Sequence, residues 1–357
     1  MSDRRGSPNT KRTLLIIVAS AIGLVLLYLT FRDISRHDLA EGLAQMKPAY
    51  LVPGFLVMAL GMFVRALRFG VILKPFCNLE LKDLWDLLNL WGAMNMVLPA
   101  RLAEFVRPYL LKRRGVSFSM TLGAVMVERI FDLCGLLVLL AVVLWRSPGI
   151  PSKYTLLGEI MLICLVVVYV VILAILRRRE WFDTILGKLV SHLPPRAAEF
   201  LRGTINRLLD GVGIMAHPLH ALLVFVYSVA IWLSFSVLTY LFLMAFGIEA
   251  PFLVAVTIQV VLCIGAAVPS APGFIGTFHA ACRIALAIFG VQATIAVPFA
   301  TAYHLFSVLG SILLGLLSYW TGTFRFDHGL FGPVDNGGDE TVSAETAAEA
   351  SVPGQGS

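Results

Sequence analysis

Six runs of mostly apolar residues, at 13–31, 50–73, 119–145, 156–176, 218–246 and 294–323, dominate this chain. A helix needs about 20 such residues to cross the hydrocarbon core of a bilayer. Of 357 residues, 58% are hydrophobic and 14% charged, with a mean hydropathy of +0.85. Globular domains hold about 45–50% apolar and about 25% charged residues. No protein interior hides that excess, so the predicted class is an all-α polytopic membrane helix bundle. The basic start (Arg4, Arg5, Lys11, Arg12) ahead of the first run has the form of a signal peptide, but no small-x-small site follows. An uncleaved first span is expected instead.

The net charge of +6 points to the membrane rather than to nucleic acid, because Lys and Arg gather in cytoplasmic loops. Residues 1–12 and 177–210 each carry a net +3, 65–83 and 101–114 are basic, and 32–47 is balanced. The N-terminus is therefore placed in the cytoplasm. Two further apolar segments resist a simple span. Residues 84–98 are short and carry Asp86, Asn89 and Asn95; residues 251–289 are broken by Pro269, Pro272, Gly273 and Gly276. With 65–83 and 101–114 both inside, 84–98 enters and returns, and 251–289 does the same from outside. The prediction is six full spans plus two re-entrant hairpins, with both termini cytoplasmic in the inner membrane of a prokaryote; eight plain spans is the alternative. Residues 50–145 and 218–323 then have the form of an inverted-topology repeat, which in transporters sets the substrate site where the broken elements meet.

The domain organisation follows: a cytoplasmic start at 1–12, a membrane domain at 13–325, and an acidic tail at 326–357 with the composition of disorder. Within the membrane domain, 180–212 reads as two amphipathic helices parted by Pro194 and Pro195, lying on the inner leaflet. The five cysteines (Cys77, Cys134, Cys164, Cys263, Cys282) show no paired spacing, so neither disulfide nor metal is inferred.

Glu128, Arg129 and Asp132 fall inside an apolar run. An ionised residue at a span centre costs about 2.5 to 3.5 kcal/mol even on an insertion scale. Glu128 and Asp132 share a helix face and need cations. Arg101 and Arg107 are the expected partners, with Glu104 near Arg129, Arg65 and Arg68 joining, Pro99 breaking the backbone ahead of them, and Asn95 belonging to the same substrate-binding set. An arginine-rich cavity suits phosphate, whose oxygens the planar guanidinium binds in pairs; a buried ion-pair network is the bland alternative. In the second broken segment, a half-helix starting near Gly276 would point its positive end at an anion. His279 and Arg283 follow on that half-helix. His279 is the candidate for protonation chemistry, and His304 reads as a satisfied interior histidine.

Residues 95–133, NMVLPARLAEFVRPYLLKRRGVSFSMTLGAVMVERIFDL, and 269–279, PSAPGFIGTFH, together resemble the lysylphosphatidylglycerol synthase transmembrane region, or flippase-like domain, family. The first stretch matches its N-x-x-LP-x-R-x-x-E-x-x-R and ERxxD pattern, the second its Pro-Gly loop. The resemblance implies a bundle that moves lipids between leaflets. It does not carry over the synthases' separate cytosolic transferase domain, so no enzyme activity, catalytic residue or cofactor is expected. Two departures stand out: Gly273-Phe274 where members often have Gly-Gly, and His279 where many have Glu.

The leading expectation is a flippase or scramblase for an anionic phospholipid or a polyprenyl-phosphate-linked molecule. Arg101, Arg107 and Arg129 would hold phosphate, Glu104, Glu128 and Asp132 would position them, and Pro269, Gly273 and Gly276 would form an outer gate. A membrane transferase using a lipid-phosphate donor is disfavoured by short, acid-poor outer loops. A non-transporting scaffold predicts a sealed charge cluster. An ion channel lacks any ring of ligands, and no Walker A motif is present.

Overall fold

The computed structural model describes residues 8–98, 102–146, 163, 167, 170–171, 174, 177–191, 194–212, 217–267, 271–322 and 324. The expected tail at 326–357, most of the run at 156–176, and Pro99, Arg101 and Pro269 lie outside them.

The twelve main helices among the described residues are α1 (Pro8–Phe31), α2 (Arg36–Ala44), α3 (Leu51–Leu73), α4 (Leu81–Val97), α5 (Val106–Lys112), α6 (Phe118–Arg146), α7 (Arg179–Val190), α8 (Pro195–Val212), α9 (Pro218–Ala245), α10 (Phe252–Ala267), α11 (Thr277–Ile288) and α12 (Ala293–Thr321). In lipid every backbone N–H and C=O must be satisfied within the segment, which leaves the helix as the form open to these apolar runs. The segment Pro48–Leu73 with α9 and α12 is long and apolar enough to cross a membrane. Helix α6 has the length but carries the charges discussed below.

Lipid is as apolar as leucine, so the helices associate through close fit rather than hydrophobic exclusion. Small residues supply the fit. Gly54 of α3 packs against Leu238 and Phe306, and Gly61 against Ser234. Gly315 of α12 abuts Ala93 of α4, while Gly42 of α2 lies against the Pro298 ring inside α12. Isoleucines, leucines and valines elsewhere on these helices remain exposed, among them Leu56, Leu60, Leu222, Val226, Leu309 and Leu313, as expected of a surface solvated by acyl chains.

The packing has an exchange pattern. Helix α3 packs on α9; α4 packs on α12, and α10 packs on α6; α3 meets α4, and α9 meets α10; α5 meets α6, and α11 meets α12. These helix–helix contacts pair up so that each has a counterpart in which the two halves change places. The proline pair at 194–195 does separate two helices, α7 and α8, but α8 packs against α6. The connector thus has a protein partner in α6.

Helix α4 has 17 residues, α10 has 16 and α11 has 12. At 1.5 Å per residue each falls short of a bilayer core about 30 Å thick. The end of α4 touches the loop joining α10 to α11: a Cβ on Gly273 would lie 3.1 Å from the Met96 carbonyl oxygen. The two broken segments thus meet tip to tip.

Candidate functional site

Helix α6 carries its three charges on a side that faces α3 and α5. Arg68 of α3 donates to Asp132 at 2.5 Å, to Glu128 at 3.1 Å, and to the Ser228 hydroxyl of α9 at 2.8 Å. Arg107 of α5 pairs with the other oxygen of Glu128 and with Glu104 at 3.2 Å. Arg129 bridges Glu104 at 3.0 Å and Asp132 at 3.4 Å. Trp232 ties its indole N–H to the Asp132 carbonyl oxygen at 2.9 Å. Arg68 and Glu128 are each 2% exposed and Arg107 is 1% exposed. An ion pair this deep survives only when both charges are matched and bonded, and here they are.

The pairing differs from the sequence expectation in one respect. Asp132 takes Arg68 and Arg129 rather than Arg107, because Arg68 lies on the α3 face turned toward α6. Glu104 does meet Arg129. Arg101 and Pro99 are outside the described residues, so their expected places are not among these contacts.

Arg65 differs from its neighbours. Among the described residues, four guanidiniums (Arg65, Arg68, Arg107, Arg129) face three carboxylates (Glu104, Glu128, Asp132), which leaves one positive charge. Among the described residues Arg65 makes no ion pair or hydrogen bond; it lies over the rings of Trp91 (5.5 Å) and Phe235 (5.0 Å). Cation–π contacts of this kind hold a guanidinium without neutralising it. Trp91 is shared: Arg107 lies 4.5 Å and Arg129 5.8 Å from the same ring.

Arg65 and Trp91 both line a cavity of about 260 Å³. Its walls come from α3, α4, α9, α10, α11 and α12, so both halves contribute. Apolar residues such as Met58, Leu238 and Phe278 alternate with Asn95, Gln259, Tyr303, Ser307 and Ser311, and among the described residues no carboxylate lines it. Gln259 is fixed by donating to the Thr239 hydroxyl (2.6 Å), the Tyr303 hydroxyl (2.9 Å) and the Phe235 carbonyl (3.1 Å). Arg65 Nε and Trp91 Nε1 are buried donors without acceptors. A buried donor left unmade costs about 1–3 kcal/mol, and two of them beside one cavity favour an acceptor-rich guest.

The loop at 271–276 borders the same cavity through Phe274, and the start of α11 through Thr277. Helix α11 starts at Thr277, beside Gly276, where the half-helix was expected. Gly276 holds φ +89°, and a Cβ there would collide with the Gly23 carbonyl of α1. Only glycine supplies both the backbone turn and the room. Phe274 also has a positive φ, +60°, a conformation that costs a non-glycine residue about 1–2 kcal/mol. His304 of α12 pins the loop through a 2.7 Å hydrogen bond with the Gly273 carbonyl oxygen. His279 is 5% exposed and stacks near Phe31 and His304, with Nδ1 lacking a partner. Arg283 turns away from the loop. It donates to the Leu29 and Thr30 carbonyls at the end of α1 and to Asp33 at 3.0 Å, a cation on a helix C-terminus.

The aromatic clamp of Trp91 and Phe235 and the polar wall of Gln259 and Tyr303 escaped sequence reading. Gln259 inside an apolar run was the available signal; the aromatic residues had none.

The model of one family, described as the lysylphosphatidylglycerol synthase TM region, matches residues 16–315. Neither a curated protein nor a solved structure matches the chain. The family match covers most of the sequence, including both halves and the cavity between them. This chain belongs to the lysylphosphatidylglycerol synthase TM-region family and is a membrane protein of lipid biology.

Proposed function

We propose that this member of the family moves an anionic lipid, either a phospholipid or a polyprenyl-phosphate-linked molecule, between membrane leaflets. The headgroup crosses through the cavity between the two broken segments while the acyl or prenyl tails stay in lipid. Arg65 holds the phosphate, with Trp91 Nε1 as a second donor. The ion pairs of Arg68, Arg107, Arg129, Glu104, Glu128 and Asp132 build the wall that fixes Trp91 and Arg65. The loop at 271–276 is the gate on the other side. The exchange pattern of helix contacts supports an inverted-topology repeat with α4–α5 and α10–α11 as re-entrant elements.

The observation that carries this reading is the unneutralised guanidinium of Arg65 in a cavity wall with two orphaned donors. Every other described arginine of the cluster is bonded to a carboxylate, which supports moving the phosphate-holding role from Arg107 and Arg129 to Arg65. The sealed pairs at Glu128 favour a second reading, a scaffold that does not transport.

Translocation of labelled phosphatidylglycerol and of a polyprenyl-phosphate sugar in proteoliposomes separates the two. Transport by the wild type that falls at least about tenfold in Arg65→Ala, a loss of about 1.4 kcal/mol, with partial recovery in Arg65→Lys, is the expected outcome. Equal transport by Arg65→Ala removes Arg65 from the role. No transport by folded wild-type protein supports the scaffold.

A further inference from the structure

A buried carboxylate sits against the end of a helix that should repel it. Asp86, in the second turn of α4, is 1% exposed, as is Asn89 three residues on. Both meet the last turn of α12. Asn89 Nδ2 donates to the Ser318 hydroxyl at 3.2 Å, and that hydroxyl hydrogen-bonds Asp86. A Cβ on Gly322 would lie 2.6 Å from Asp86 Oδ2 and would strike the Ser318 carbonyl oxygen, so the two oxygens border one small space.

The last four carbonyls of a helix lack intrahelical donors, and together they carry about half a negative charge. Asp86 adds a carboxylate to that end. Asp86 Oδ2 and Asn89 Oδ1 are buried acceptors with no donor. The neighbouring described cations, Lys82 and Arg114, act on Asp86 through space but hydrogen-bond other groups. Lys82 donates to the Thr321 carbonyl at 2.9 Å on the exposed side. Arg114 pairs with Asp83 at 2.8 Å and lies over the Phe324 ring. Neither donates to Asp86 Oδ2. Among the described residues, the Asp86 carboxylate and the Ser318 carbonyl therefore border one space beside Gly322 with no donor to Asp86 Oδ2, and Asn89 Oδ1 is a further buried acceptor on the amide that binds Ser318.

We propose that Asp86, Asn89 and the Ser318 carbonyl form a binding site for a small monovalent cation, Na+. Carboxylate, amide and carbonyl oxygens are the ligands hard cations take. A single carboxylate matches a single charge; a divalent ion would be left with an unbalanced charge in a buried place, since Asp83 is already neutralised by Arg114. The ion would join α4 to α12, and so one half of the molecule to the other. This site is separate from the Arg65 cavity and does not rest on the transport reading.

The test is binding of radiolabelled Na+ to the purified full chain in detergent, competed with unlabelled Na+, K+ and choline. Saturable binding displaced by Na+ and not by choline is expected. Asp86→Asn should abolish it, Gly322→Ala should weaken it at least about tenfold, and Asp33→Asn, at a remote acid, should leave it unchanged. In parallel, wild-type Tm should rise in NaCl over choline chloride at constant ionic strength, and the rise should vanish in Gly322→Ala. No saturable binding by folded wild type, or equal binding by Asp86→Asn, overturns the proposal. So does a Tm that follows pH but not Na+, which would make the guest of Asp86 a proton.

Discussion

Around α6 the chain is held by charge, whereas around the loop at 271–276 it is held by missing side chains. In the first region Arg68, Glu128, Arg107, Glu104, Arg129 and Asp132 form a closed network joining α3, α5 and α6. In the second, the contacts are carbonyl oxygens and glycine: Gly273 against Met96, Gly276 against Gly23, and one hydrogen bond from His304. Buried ion pairs are stiff, since breaking one leaves an uncompensated charge in low dielectric. Backbone approach at glycine imposes no such penalty on movement. A stiff network thus stands behind Arg65 and Trp91 on one side of the cavity and a loop that can rearrange borders the other, an asymmetry that suits the gating proposed above.

The comparison breaks first at Glu128. Glu128→Gln keeps the shape but leaves Arg107 and Arg68 short of a charge, and should cost about 3–5 kcal/mol. The expected readout is a large drop in Tm in detergent, with loss of the monodisperse peak on heating. A Tm within a degree of wild type would show that the network is not what fixes this wall.

Gly276→Ala probes the other wall. The positive φ and the collision with Gly23 together should cost about 1–3 kcal/mol, less than the charge deletion. The loss should fall on transport more than on Tm, because α1 can shift away while the gate no longer closes. Unchanged transport in proteoliposomes would mean that the α1 contact plays no part in gating.

The smallest effect is expected at Phe274→Gly, which brings in the residue that members of the family often carry there. Relief of the positive φ gains about 1 kcal/mol, offset by the ring's lost packing, so Tm should stay within a few degrees. The cavity should widen and accept bulkier headgroups, measured by competition between lipids of different headgroup size. No change in that preference would show that Phe274 does not shape the site.

The spans at 50–73, 218–246 and 294–323 were readable because a lipid-crossing helix has to be apolar along its length, and the break at 271–276 was readable because proline and glycine act locally on the backbone. The helix starting after Gly276 and the division at Pro194 and Pro195 follow from that local rule. The closeness of Glu104 and Arg129 was also within reach, since both lie on the same stretch of sequence as the break. Arg68 as the partner of Asp132 was not, nor was Arg65 as the uncommitted cation. Both arginines occupy α3, three residues apart; one turns toward α6 and the other toward Trp91 and Phe235.

By itself, then, the sequence determined a membrane-embedded helical chain with charges that had to be matched inside it, because hydropathy and the cost of burying charge are properties of residues one at a time. Which charge remained unmatched, and where the oxygens of Asp86 and Asn89 would meet the end of α12, only the tertiary structure decided. Those outcomes depend on the rotation of each helix about its axis. In lipid that rotation is set by the fit of small residues such as Gly54, Gly61 and Gly315 against their neighbours, and no local pattern encodes which neighbour that will be.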